Sequence, residues 1–119
     1  MFKIKDETIH ITRGDSGTIE LSIEDYIFKV GDIVEFRVYN KKGLNQVPLI
    51  NKKIEIDQEQ EVVNIELDSN DTKIGELANK ETEYWYEIEL NNDKTVIGYD
   101  ENGAKLFILY PEGADIDEV

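Results

Sequence analysis

His10, the only histidine, is the side chain here whose ordinary pKa suits it to exchange protons near neutral pH. General-base work would also need a group to orient it. Ile9 and Ile11 take the opposite side of an extended strand, which turns His10 toward solvent with no orienting partner in view. Glu87 and Glu89 share a strand face and resemble a hydrolase pair in type alone. With 27 Asp and Glu in the chain, close pairs arise by number. Their expected role is to keep a sheet soluble and to discourage edge pairing. Asp68-Ser69-Asn70-Asp71 begins like a calcium loop, but its sixth position is Lys73 where glycine is required, and its twelfth is Asn79 where glutamate is required. The same residues suit a helix cap, with Asp71 satisfying amide donors of the first turn. Cysteine is absent, which excludes thiolate nucleophiles, thiolate zinc sites and disulfides. No catalytic residue, cofactor or metal site is assigned, and the chain is read as a non-enzyme.

Two further groups bear on recognition. Arg13-Gly14-Asp15-Ser16 spells the tripeptide of cell adhesion, in which the aspartate would meet a receptor metal. Three residues match by chance, and the expectation is a structural turn. Trp85 alternates away from Tyr84 and Tyr86, onto an acidic face with Glu83 and Glu87. It reads as an interface anchor, as a sugar platform, or as a residue covered by a loop or short helix. Tyr39 and Arg37, outward on their own strand, extend the same patch.

The elements that position these residues follow a two-residue period. Tyr84, Tyr86, Ile88 and Leu90 fall on one side of one strand, and the pattern recurs elsewhere. Eight strands are expected: 8–12, 18–23, 33–39, 48–56, 61–67, 83–90, 95–99 and 105–110. Turn chemistry separates them, including Gly14-Asp15 and Gly31-Asp32, where glycine supplies positive φ and aspartate accepts from nearby amides. One short helix is expected at 71–79, with Asp71 as its cap and Ile74 and Leu77 on one side, crossing between sheets. The core expected from alternation is Ile9, Ile11, Ile19, Leu21, Ile23, Val34, Phe36, Val38, Ile54, Ile56, Val63, Ile65, Leu67, Tyr84, Tyr86, Ile88 and Leu90, joined by Phe107 or its neighbours Leu106 and Ile108. Short, regularly punctuated strands favour an all-β sandwich or barrel.

With 119 residues, one domain is expected over 1–113, followed by an acidic flexible tail at 114–119. The formal charge of −14 repels phosphate backbones and anionic lipid, so neither nucleic acid nor membrane is expected as a partner. No stretch approaches the ~20 apolar residues that span a bilayer, and the start lacks the apolar region of a secretory signal.

The order of features resembles small phage and prophage virion proteins of Firmicutes: Arg13 to Ser16, Gly31-Asp32 before Val34, Phe36 and Val38, Asp71-Thr72 before a short helix, then Tyr84, Tyr86, Ile88 and Thr95 to Ile97. The look-alike is the immunoglobulin-like N-terminal domain of phage baseplate upper proteins. That resemblance implies an Ig-like β-sandwich of about seven to eight antiparallel strands. It also implies a tail- or baseplate-associated structural role, contacts with virion proteins or with itself, and a location in the host cytoplasm during assembly and then in the virion. Helical and receptor-binding parts of that family are not matched here. Two other functions are weighed. One is an acidic nucleic-acid mimic that inhibits a host protein, with Glu83, Glu87 and Glu89 as phosphate surrogates. The other is a carbohydrate-binding module built on exposed aromatics.

Overall fold

A computed structural model describes residues 1–40, 47–75 and 80–112. Its nine strands are β1 (Phe2–Lys5), β2 (Thr8–Thr12), β3 (Gly17–Leu21), β4 (Ile33–Tyr39), β5 (Ile50–Glu55), β6 (Val63–Leu67), β7 (Thr82–Leu90), β8 (Lys94–Ile97) and β9 (Lys105–Tyr110). The protein is all-β.

Seven strands form one sheet in the order β1-β2-β9-β7-β4-β5, with β8 beside the end of β7; β3 and β6 form a second sheet. Alternation explains which residues face inward. In β7 every second residue from Tyr84 to Leu90 is buried, and Val63, Ile65 and Leu67 do the same for β6. The two inward faces share one apolar cluster. Phe36 anchors it, with ring centroids 5.6 Å from Tyr86 and 6.5 Å from Phe107. Such aromatic separations add to plain area burial.

Several expectations need correction. β1 was not anticipated, and β2 pairs with β9 in parallel, whereas every other strand pair is antiparallel. The helix expected from Asp71 is not seen over residues 71–75, and 76–79 lie outside the described residues. A reciprocal aspartate bracket takes its place. Asp68 N donates to Asp71 Oδ2 and Asp71 N donates to Asp68 Oδ1, each at 2.8 Å. Asp71 therefore serves an amide upstream of itself instead of a first helical turn, and Gly75 at φ +70° bends the chain away. Ile23 and Ile54 are half-buried and pack against the core, which also contains Phe28, Ile50 and Leu109. The acidic tail at 114–119 lies outside the described residues.

Candidate functional site

The outward face of the large sheet is where β4 and β7 place their second set of side chains. Cross-strand register sets Tyr39 against Trp85, Arg37 against Glu87 and Glu35 against Glu89. Tyr39 and Trp85 stack, with centroids 4.6 Å apart and planes 24° from parallel. Arg37 binds three carboxylates: Nη2 donates to Glu35 at 2.7 Å, and Nη1 donates to Glu87 at 3.2 Å and to Glu89. The Tyr39 hydroxyl donates to the same Glu87 oxygen at 3.1 Å.

Burial alone would lower the pKa of Arg37, but Glu89 and Glu35 outweigh it and hold the guanidinium firmly charged. Burial, then the charge of Glu87, pushes the Tyr39 hydroxyl up, so it stays a donor. Glu35 is only 6 % exposed, a buried charge that Arg37 compensates. Glu87 and Glu89 therefore do not guard an edge, as expected from their spacing. β7 lies inside the sheet between β9 and β4, and its carboxylates clamp an arginine.

The aromatic pair continues into β9, because Leu106 is the cross-strand partner of Trp85 and Ile108 that of Glu83. Leu106, Ile108 and Tyr110 are half-buried on this outward side, while Phe107 and Leu109 are the inward ones. An unbroken apolar run from Leu106 to Tyr110 hides its own alternation, which is why the sequence did not assign them. His10 is half-buried, not turned to open solvent, and its Nδ1 lies 2.8 Å from the Tyr110 hydroxyl. The outcome is an aromatic and aliphatic band bordered by carboxylates. That surface can accept apolar or cationic side chains, through area burial and cation–π attraction. Arg37 is committed to internal pairs, so its part is to hold Tyr39 and the carboxylates in place.

The turn residues lie elsewhere. Gly14 and Gly31 have φ of +86° and +94°, the left-handed region that favours glycine. Around Gly14 the adhesion-like tripeptide is tied down on three sides. Arg13 Nε donates to Ile74 O at 3.4 Å, Gly14 N donates to Thr72 Oγ1 at 3.0 Å, and the Asp15 carboxylate meets the Met1 amino group. Asp32 is buried and accepts from Tyr26 Oη at 2.5 Å, Lys29 N at 2.9 Å and Asn91 Nδ2 at 3.1 Å. Neither aspartate accepts from an amide just ahead of it, as the turn reading expected. Among the described residues no group of three or more His, Cys, Asp or Glu is placed to hold a metal ion. Compared with known proteins, the chain matches no family model, no curated protein and no solved structure.

Proposed function

We propose that this chain is a non-enzymatic structural or assembly module of a phage or prophage virion, an Ig-like β-sandwich associated with the tail or baseplate that works through protein contacts. The strand order supports the Ig-like part. β9-β7-β4-β5 corresponds to a G-F-C-C′ sheet, β3 and β6 correspond to strands B and E, and β2 lies beside the last strand.

The observation that carries the contact role is the Tyr39–Trp85 stack held by Arg37 and Glu87. Its geometry is set before any partner arrives, which lowers the ordering cost of association. Large, stiff aromatic groups are common energetic centres of interfaces. The partner is a virion protein, met first in the host cytoplasm and retained in the particle. The mimic reading gains less, because Arg37 already compensates two of its three intended phosphate surrogates, Glu87 and Glu89.

The test is calorimetric titration against tail and baseplate proteins encoded beside this gene. Trp85→Ala is expected to weaken binding at least tenfold with the fold retained by circular dichroism. Binding that Trp85→Ala and Tyr39→Ala both leave unchanged would overturn the assignment of this face.

A further inference from the structure

Between β8 and β9 the chain carries Asp100-Glu101-Asn102-Gly103, and Asn102 is the only asparagine in the sequence followed by glycine. That neighbour matters chemically. The side-chain carbonyl of an asparagine lies within a five-membered ring of the next backbone nitrogen, and glycine offers that nitrogen with no Cβ to crowd its approach. This is one reason that asparagine is thermolabile. Asn102 is exposed, and open space surrounds the place where a Cβ on Gly103 would sit. Water therefore reaches the reacting carbonyl.

The folded turn holds the nitrogen elsewhere. Gly103 N donates to Asp100 O at 2.9 Å and Asp100 N donates to Gly103 O at 3.2 Å, a reciprocal pair that closes the two-residue loop of Glu101 and Asn102. On the other side, Asn102 N donates to Asp100 Oδ1 at 2.8 Å. Asp100 thus takes both amides that flank the Asn102 side chain. Its second carboxylate oxygen accepts from Lys105 Nζ at 2.8 Å, and Lys105 also lies 3.7 Å from Glu7, so the carboxylate is itself fixed. Ring closure needs the Gly103 amide to lose its proton and turn onto Asn102 Cγ. Neither happens while that proton is shared with Asp100 O.

We propose that Asn102 is a site of spontaneous deamidation and that Asp100 is the positioning residue that restrains it in the folded protein. In a local opening of the loop, Gly103 N is deprotonated and attacks Asn102 Cγ. The N–Cγ bond forms, the Cγ–Nδ2 bond breaks, and Nδ2 takes up a proton in place of the one Gly103 lost and leaves as ammonia. One water then opens the cyclic imide. Breaking N–Cγ leaves aspartate, whereas breaking the backbone C–N bond leaves isoaspartate, whose main chain runs through Cγ and is one methylene longer. Such a residue does not fit a loop closed by two residues. β9 begins two residues after Gly103, and its register sets Lys105 against Tyr86 and Leu106 against Trp85, so the longer chain disturbs the outward face. The inference stands whatever the Trp85 face binds.

Peptide mapping by mass spectrometry on the full chain, aged at mildly alkaline pH and scored for isoaspartate, tests it. Asn102 is expected to convert ahead of every other asparagine, and at least tenfold faster in urea than in the folded protein. Asp100→Ala is expected to speed the folded rate at least fivefold, and Lys105→Met, which frees the carboxylate, by a smaller factor. Lys105→Met gives the same reading should Asp100→Ala not fold. Thr72→Val disturbs a different turn and is expected to leave the rate at Asn102 unchanged, which separates local restraint from general loss of stability. The isoaspartate fraction is expected to melt below the fresh protein. No isoaspartate at Asn102 in urea overturns the site. Equal rates in urea and in buffer, a folded Asp100→Ala that ages like the wild type, or an equal acceleration by Thr72→Val overturns the restraint. An isoaspartate fraction that melts with the fresh protein overturns the link to β9.

Discussion

Asp32 shows how a single carboxylate can set a junction. It receives Lys29 N, the Tyr26 hydroxyl and Asn91 Nδ2, while Asn91 Oδ1 accepts from Ile33 N at 2.8 Å. The segment after β3, the start of β4 and the turn after β7 therefore meet on one ion. The Lys29 amide, then the Tyr26 hydroxyl, holds the Asp32 carboxyl below the usual aspartate range. A depressed folded pKa stabilises the fold above the unfolded value of about 3.9, and that contribution is lost as pH falls through the folded value. Asp32→Asn is expected to cost about 1–3 kcal/mol near neutral pH. In urea titrations the gap from wild type should shrink as pH falls below the unfolded aspartate value and through the lower folded one. A gap independent of pH would mean that shape, not charge, is what Asp32 supplies. Glu7 gives the opposite sign. It sits at φ +66° after Asp6 at φ +51°, in a two-residue hairpin loop whose second place suits glycine. Its carbonyl accepts the Tyr86 hydroxyl at 2.5 Å, a bond that survives side-chain removal. Its carboxylate reaches Lys105 only at 3.7 Å and is exposed, so that pair is worth little. Glu7→Gly is expected to stabilise by about 0.5–1 kcal/mol. Differential scanning calorimetry should show the melting temperature rise by about 3 °C.

Among the elements, β2, β4 and β9 were legible to the residue, because turn residues border alternating or apolar runs on both sides. β1 was not. Phe2-Lys3-Ile4-Lys5 is short, and its turn is Asp6-Glu7, without the glycine that announces a hairpin. The parallel pairing of β2 with β9 was hidden for another reason: period fixes which way side chains point, and says nothing about which distant strand lies alongside or in which direction. The register joining Tyr39 to Trp85 is equally non-local, so the sequence offered those residues as one patch without showing that they stack. The lack of helix over the described residues 71–75 turns on residues that suit a cap and an aspartate turn alike. Thr72 decides between them. Its hydroxyl, fully buried, accepts from Gly14 N at 3.0 Å and donates to Asp15 O at 2.7 Å, welding 68–75 to the 13–15 turn. Thr72→Val keeps the shape and strands both backbone groups, an expected loss of about 1–3 kcal/mol. Amide exchange at Gly14 should accelerate with it; unchanged exchange there would mean that the turn is held by its other contacts.

At the scale of the whole molecule, charge is distributed unevenly. The outward face neutralises much of its own, with Arg37 set among Glu35, Glu87 and Glu89 and with Lys53 the cross-strand partner of Glu35. The excess acid behind the net −14 therefore falls largely on other surfaces. Self-repulsion of this size opposes the compact state, while local pairs such as Lys52 with Asp71 at 2.8 Å favour it. Salt screens both, but unequally. Between about 0.01 M and 0.15 M the screening length falls from about 30 Å to about 8 Å, which removes long-range repulsion and spares contacts of a few ångströms. The melting temperature is therefore expected to rise by a few degrees over that interval in a thermal titration monitored by tryptophan fluorescence. A melting temperature that falls with salt would mean that the local pairs outweigh the global repulsion, and that the surplus acid lies too dispersed to oppose folding.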